Sequence, residues 1–183
     1  MSHRAHFKHP FTMIISGSTG SGKTEWLMRF LQNLDALIYN SPIKHVLYCY
    51  GELNNNILKL QQSGPKFQIY NGIPTEDIIQ SKAREGPLLL VLDDLLVNLK
   101  SPFLDTLFTR GSHNWGVSVV LVTQHLFNKE IKTARNNSHY IVLMRNPAGE
   151  LQIRNLATQL FPHKTKFFLE AYKDATTKQF YIC

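Results

Sequence analysis

The sequence predicts an α/β fold in which helices cover both faces of a mostly parallel central sheet. Short apolar, β-branched segments alternate along the chain with segments whose apolar residues recur at helical spacing. A glycine-rich loop at residues 17–24 joins the first of these strands to the first helix. The chain has 183 residues, of which 43% are hydrophobic, so it can form one well-cored domain but not two of ordinary size.

The first half of the chain alternates strands with helices, as a parallel sheet requires. Thr75 is a typical N-cap residue, and the acidic residues Glu76 and Asp77 follow it in the first turn, where the helix dipole favours negative charge. We predict strands at residues 12–16, 44–50 and 67–70, the last at an edge of the sheet, and helices at 25–31, 57–62 and 75–83.

The second half continues the alternation. Leu88–Leu92 is an uninterrupted apolar run, typical of a strand that is buried on both faces. We predict further strands at residues 117–123, 140–144 and 179–182, and helices at 101–110, 128–135, 152–160 and 164–172. The chain stops inside the last of these strands, which we interpret as truncated.

The start of the chain is predicted to lie outside this domain. We expect residues 1–10 to form a basic tail and residues 11–183 to form a single domain. His3, His6 and His9 recur every third residue, but a solvated tail explains this spacing better than a metal site.

Cysteine content and hydropathy suggest an intracellular location. Cys49 and Cys183 do not form a C-x-x-C pair, so neither a disulfide framework nor a zinc site is predicted. No apolar run approaches the length of a membrane span, and the basic start is followed by too short an apolar stretch for a secretory signal.

Residues 17–24 match the phosphate-binding pattern G-x-x-x-x-G-K-[ST], with a predicted strand before them and a predicted helix after them. The glycines let successive backbone N–H groups point at the phosphates, and the helix N-terminus adds its positive dipole. Lys23 is placed for the β- and γ-phosphates and the Thr24 hydroxyl for Mg²⁺, so the chain is predicted to bind a nucleoside triphosphate such as ATP. The predicted contacts are Gly17, Ser18, Thr19, Gly20, Ser21, Gly22, Lys23, Thr24 and Glu25.

Polar residues follow two later strands. Asp93 ends the apolar run and is predicted to hold Mg²⁺ beside the phosphate loop, and Asp94 is the candidate general base for an attacking water. As an alternative, the pair would simply cap the next turn. Gln124 closes the strand at residues 117–123, where it would lie between the carboxylates and the γ-phosphate and sense the latter or orient water.

Positive charge is concentrated in the second half of the chain. The net charge is +7, of which residues 1–98 contribute +1 and residues 99–183 contribute +6. The surplus suits a polyanionic partner, although an ordinary basic surface explains it equally well. Arg110 ends a predicted helix, and from spacing alone it is better read as a cation at a helix C-terminus than as an arginine that reaches a neighbouring subunit.

Together these elements resemble the FtsK–HerA superfamily of DNA-translocating ATPases, and more closely the genome-packaging ATPases of double-stranded DNA viruses of the poxvirus, adenovirus and Polinton or adintovirus types. The resemblance covers nearly the whole chain, and only the phosphate loop is specific in itself. Apart from that loop, it is carried by residues 9–12, Leu92–Leu95, Arg110–His113, Val122–Phe127, Tyr140–Pro147 and Gln159–Pro162.

The resemblance implies a RecA-like ASCE P-loop ATPase core that forms a homo-oligomeric ring around double-stranded DNA and works with a capsid or portal-like partner, inside the host nucleus or cytoplasm or associated with the virion. It makes Arg110 the best candidate for an arginine finger that acts in trans, and Gln124 the polar sensor. Arg135 and Arg145 become weaker candidates for subunit or DNA contacts. Asp94 stands where many members of the superfamily carry glutamate.

Two other functions are compatible with the motifs. A P-loop kinase would transfer phosphate to a nucleoside or another small acceptor, but the arginine-rich lid that it needs is not evident in the sequence. A nucleotide-gated DNA-binding or scaffold protein whose ATPase has decayed would bind ATP and DNA without turnover. Hydrolysis of ATP by water would distinguish the DNA-translocating ATPase from both of these alternatives.

Overall fold

Six parallel strands form one sheet in the computed structural model, which describes residues 6–95 and 98–177. Every strand pairing within these residues is parallel, so the predicted α/β fold is confirmed. The strands are β1 (Thr12–Ser16), β2 (His45–Tyr50), β3 (Phe67–Asn71), β4 (Leu88–Asp93), β5 (Val117–Thr123) and β6 (Tyr140–Leu143). Their order across the sheet is β3-β2-β4-β5-β1-β6, which puts β3 at an edge as predicted.

Most helices lie at or near the predicted positions and extend the predicted ranges by a few residues, but the short helix at Leu34–Leu37 was not predicted. The described helices are α1 (Lys23–Gln32), α2 (Leu34–Leu37), α3 (Asn55–Gln62), α4 (Glu76–Glu85), α5 (Ser101–Thr106), α6 (Ser112–Asn114), α7 (Lys132–Asn136), α8 (Glu150–Leu160) and α9 (Thr165–Thr177). Thr75 caps α4, accepting a hydrogen bond from the Ile78 N–H. The strand predicted at residues 179–182 lies outside the described residues.

Two hydrophobic clusters cover the two faces of the sheet. Successive residues of β4 alternate between them: Leu88, Leu90 and Leu92 join one cluster, and Leu89 and Val91 join the other. Helices α4, α5, α7 and α8 contribute buried residues to the first cluster, and α1, α2 and α3 to the second. This double burial explains why the strands read as continuous apolar runs. None of the described helices is long and apolar enough to span a membrane.

The helix predicted at residues 101–110 contains an irregularity that the sequence did not indicate. Leu107–Gly111 forms a π-helical turn between α5 and α6. Gly111 lies against Trp115, whose ring carbon Cε3 would be 3.2 Å from a Cβ added at the glycine. Wide turns of this kind occur often at functional sites, and this one carries the exposed Arg110.

The prediction that His9 is solvated is wrong, because this part of the tail packs against the domain. His9 is only 7% exposed, and its Nδ1 lies 2.6 Å from the Ser118 Oγ on β5. Its backbone N–H donates to Asn40 Oδ1, and Asn40 Nδ2 donates back to the His9 carbonyl. Phe7 is also buried, in edge-to-face contact with Phe30. Buried and exposed residues alternate here, so that Phe7, His9 and Phe11 all face the domain. This period-two pattern was not recognised in the sequence because the segment is short and basic.

Candidate active site

The phosphate loop connects β1 to α1 at the carboxyl edge of the sheet. Gly22 precedes α1 with a φ of +94°, a left-handed conformation that residues with a Cβ rarely adopt, so glycine is needed there. The loop is tied to the two strands that flank β1. The Gly17 N–H donates to the Thr123 carbonyl at the end of β5, and the Ser18 N–H donates to the Arg145 carbonyl just beyond β6. The loop is thus fixed on both sides.

Lys23 is held inside the loop. Its ammonium donates to the Gly17 and Ser18 carbonyls, at 2.7 Å and 2.8 Å. Burial lowers the pKa of Lys23, while the nearby Asp93 and Asp94 carboxylates act in the opposite direction. The two carbonyls and the nearby carboxylates together hold the charged amine within the loop, where the sequence pattern predicts that the β- and γ-phosphates bind.

Asp93 ends β4 and is hydrogen-bonded from within the core. The hydroxyl of Tyr48, on the neighbouring strand β2, donates to Asp93 Oδ2 at 2.5 Å. Burial raises the pKa of Asp93, and Asp94 adds to this rise; the Tyr48 hydrogen bond and the Lys23 charge oppose it. Burial and the adjacent Asp93 charge also raise the pKa of Tyr48, so its hydroxyl stays protonated as a donor.

Asp94 has a left-handed backbone conformation, with a φ of +54°, which is uncommon for a residue other than glycine. Its carbonyl oxygen would be only 2.5 Å from a Cβ added at Gly51, the residue that follows β2. The Gly51 N–H in turn donates to the Asp93 carbonyl at 3.2 Å. The loops that follow β2 and β4 are therefore packed against each other, and glycine at position 51 permits this contact.

A cleft of about 430 Å³ brings these parts together. Seven of the predicted residues line it: Thr19, Gly20, Lys23, Thr24, Asp93, Asp94 and Gln124. Because β5 lies between β4 and β1, Gln124 lies between the acidic pair and the phosphate loop, and its Oε1 accepts a hydrogen bond from the Thr19 hydroxyl at 3.1 Å.

One wall of the cleft was not predicted from the sequence. Glu52, Leu53 and Asn54 line it from the loop after β2. A signal was present, since these residues directly follow a predicted strand, and the carboxyl ends of parallel strands share one edge of the sheet. Asn54 also caps α3, accepting hydrogen bonds from two backbone N–H groups.

The three predicted arginines lie elsewhere. Arg110 is exposed on the π-helical turn and does not line the cleft. Arg135 is engaged within its own chain: its guanidinium donates to the Leu126 carbonyl at 2.9 Å and lies 4.3 Å from the centre of the Phe127 ring. Arg145 is exposed beside the phosphate loop, which its carbonyl helps to hold.

The cleft combines one cation with three carboxylates. Glu52, Asp93 and Asp94 line it together with Lys23, and no other lysine or arginine of the described residues does so. Within residues 6–95 and 98–177, no group of three or more His, Cys, Asp or Glu side chains could hold a metal ion. Mg²⁺ commonly uses only one or two carboxylates and completes its shell with water and substrate phosphates, so a Thr24 hydroxyl and an Asp93 carboxylate fit that ion.

The sequence profile of the family described as Poxvirus A32 protein matches residues 2–159 of this chain. No curated protein matches it in sequence at a significant level.

Solved structures share the fold at low sequence identity. The cytoplasmic domain of EssC has a TM-score of 0.57 at 17% identity, over 78% of this chain and 32% of the solved EssC chain. The cytoplasmic domain of the type VII secretion ATPase EccC from Thermomonospora curvata has a TM-score of 0.54 at 18% identity, over 74% of this chain and 20% of the solved EccC chain. The present chain thus spans a third or less of these two solved chains.

A viral protein is matched over a larger share of its length. The genome packaging NTPase B204 from Sulfolobus turreted icosahedral virus 2, in complex with AMP, has a TM-score of 0.56 at 13% identity. The match covers 94% of this chain and 90% of B204. At these identities the structural likeness establishes the fold alone.

Proposed function

The chain belongs to the family of the poxvirus A32 protein, and from this premise we propose that it is an ATP hydrolase that moves double-stranded DNA and packages a viral genome into a capsid. Membership confirms the resemblance that the motifs indicated. The fold, shared with secretion ATPases and with a viral genome packaging NTPase, agrees with it.

One observation carries the proposal: three elements that lie far apart in the sequence meet in a single cleft. The phosphate loop, the acidic pair Asp93 and Asp94, and Gln124 line it together, and the order of the strands determines their arrangement. A phosphate loop alone suits kinases and hydrolases alike, whereas carboxylates and a polar side chain grouped beside it suit attack by water.

The residues of the cleft divide into binding and catalytic roles. Lys23 and the loop amides would hold the triphosphate, and Thr24 and Asp93 would hold Mg²⁺, which neutralises charge on the β- and γ-phosphates when bound. Asp94 would accept a proton from the attacking water, and Gln124 would orient that water or sense the γ-phosphate. These groups act by positioning and by electrostatics, which account for most of phosphoryl-transfer catalysis.

A further cation would come from a second copy of the chain. The described lining of the cleft holds only Lys23 as a cation, although charge on the γ-phosphate must be stabilised in the transition state. Arg110 is exposed on the π-helical turn and does not line its own cleft, so it would be available to a neighbour in a homo-oligomeric ring.

The basic second half of the chain supports a nucleic-acid partner. Its +6 balance would attract the phosphates of double-stranded DNA through counterion release. A capsid or portal-like protein would complete the assembly, in the host nucleus or cytoplasm or in the virion.

Steady-state hydrolysis of ATP tests the proposal. Turnover per subunit should rise when linear duplex DNA is added, because DNA is the substrate that the enzyme moves. It should also rise with protein concentration, because the active sites would form between subunits. Lys23→Ala should abolish it. Phosphate transfer to an added nucleoside instead of water would identify a kinase, and binding of ATP and DNA without turnover would identify a decayed enzyme; either outcome rejects the proposed motor.

A further inference from the structure

A second groove adjoins the phosphate loop on the side away from the acidic pair. It has a volume of about 510 Å³ and lies between the end of β6 and helices α8 and α9. It is connected to the loop through Arg145, which lines the groove and whose carbonyl accepts hydrogen bonds from the Ser18 N–H at 3.3 Å and the Ser18 hydroxyl at 3.0 Å.

The strand order gives a bound triphosphate a direction. The acidic pair follows β4, two strands from β1 on one side, and Arg145 follows β6, the next strand on the other side. A triphosphate on the loop that turns its γ-phosphate toward Asp93 must therefore direct its nucleoside toward β6, where this groove begins.

The groove has the chemistry of a nucleoside site. Ile153 and Leu169 give it an apolar wall, and both pack into the core that covers this face of the sheet. Tyr172 stands beside them, with its hydroxyl fixed between the Met144 carbonyl, to which it donates, and the Asn146 N–H. Pockets for small organic ligands combine such apolar walls with a few polar groups.

The charge around the groove is positive and suits a ligand whose phosphates lie beside it at the loop. Arg145, Arg154 and Lys173 line it, and none of the three is in an ion pair within residues 6–95 and 98–177. Glu150 is the one carboxylate among its described lining residues. The positive balance suits a nucleoside that carries phosphates at the loop end.

We propose that this groove receives the base and ribose of the nucleoside triphosphate, with the base against Ile153 and Leu169. This inference rests on the proposed function, since it assigns the remainder of the substrate whose phosphates occupy the loop.

Two ligands distinguish binding in the groove from binding at the phosphate loop: a non-hydrolysable ATP analogue and inorganic tripolyphosphate. The affinity for each is measured with Mg²⁺ by titration calorimetry. Leu169→Trp fills the groove, and Phe167→Trp adds the same indole two residues away on α9, at a side chain that is 72% exposed. Leu169→Trp should weaken binding of the analogue at least about tenfold and leave the affinity for tripolyphosphate unchanged. Phe167→Trp should change neither.

A second variant tests the rim of the groove. Arg154→Ala should also weaken binding of the analogue while sparing tripolyphosphate. Normal binding of the analogue by Leu169→Trp would overturn the inference, as would equal losses for the two ligands, because the groove would then act only through the loop. If the wild-type protein binds tripolyphosphate but shows no additional affinity for the analogue, the groove is again excluded, whereas failure to bind either ligand rejects the proposed function itself.

Discussion

Tyr48 donates its hydroxyl to Asp93 Oδ2 at 2.5 Å, across the pairing of β2 with β4. Tyr48 is fully buried, so this bond reaches the carboxylate from the core and fixes its orientation at the end of the strand. A hydrogen bond to a charged group stabilises by about 1.5–3 kcal/mol, and here the bond also opposes the rise that burial causes in the pKa of Asp93. Tyr48 is thus a positioning residue for the proposed Mg²⁺ ligand.

Tyr48→Phe removes only that hydroxyl and should raise the Mg²⁺ concentration needed for half-maximal ATP hydrolysis about tenfold or more. The affinity for tripolyphosphate without Mg²⁺ should stay the same, because the loop is untouched. Tyr50→Phe, two residues along the same strand, is the matched control. A Mg²⁺ dependence equal to that of the control would show that Tyr48 serves packing alone.

Much of this site follows from the local sequence. The phosphate loop, Asp93 and Gln124 could be predicted because each lies at or directly after the end of an apolar strand, and parallel strands end at one edge of the sheet. Tyr48 could not, since it reads as one more apolar position in a buried strand until the register of β2 on β4 is known. The burial of His9 could not be predicted for a similar reason: its partner Ser118 is 109 residues away, and no local sequence pattern indicates such a contact.

The acidic pair leads to a prediction about the general base. Asp94→Asn keeps the size of the side chain but removes the carboxylate, so it should lower kcat by about 10²–10⁴ without weakening nucleotide binding. Glu52→Gln makes the same change at another carboxylate in the cleft and should have a much smaller effect. Single-turnover hydrolysis measures both. The reverse ranking would transfer the role of the base from Asp94 to Glu52.

The contact between Gly51 and Asp94 predicts a cost for any side chain at position 51. In Gly51→Ala the new Cβ would meet the Asp94 carbonyl oxygen at 2.5 Å, so the acidic loop must move. Overpacking of this kind typically costs about 1–3 kcal/mol, and a displaced Asp94 should also slow hydrolysis. Urea unfolding and ATP turnover measure the two effects. Wild-type stability and wild-type turnover in Gly51→Ala would mean that the acidic loop can move without affecting folding or hydrolysis.

The buried His9 makes stability depend on pH. Burial lowers the pKa of His9 below its usual 6.5, so the proton binds preferentially to the unfolded chain. The free energy of unfolding should therefore be highest above pH 6.5 and should fall as the pH drops toward the folded pKa, by at most about 1.4 kcal/mol per pH unit for one proton. His139, whose pKa is also lowered by burial and by the nearby His113, adds to this slope.

Urea unfolding between pH 7.5 and pH 5 measures that slope. His9→Gln should flatten it and should also lower stability at pH 7.5, because the buried hydrogen bond between His9 and Ser118 is lost. His163→Gln, at an exposed position between α8 and α9, is the control and should leave the slope unchanged. A slope in the His9 variant as steep as in the wild type would place the coupled proton elsewhere.

Arg110 tests whether the active site is shared between subunits. Arg110→Ala should lower kcat by roughly 10³–10⁵, the usual effect of losing an arginine finger, and should spare nucleotide binding. Arg29→Ala removes another exposed arginine, one paired with Glu25 on α1, and should have little effect. Mixing distinguishes a finger acting in trans from one acting in cis. Lys23→Ala subunits have no working loop but keep Arg110, so adding them to Arg110→Ala subunits should restore hydrolysis. An arginine that acts within its own subunit, or only in folding, would leave the mixture as inactive as its parts.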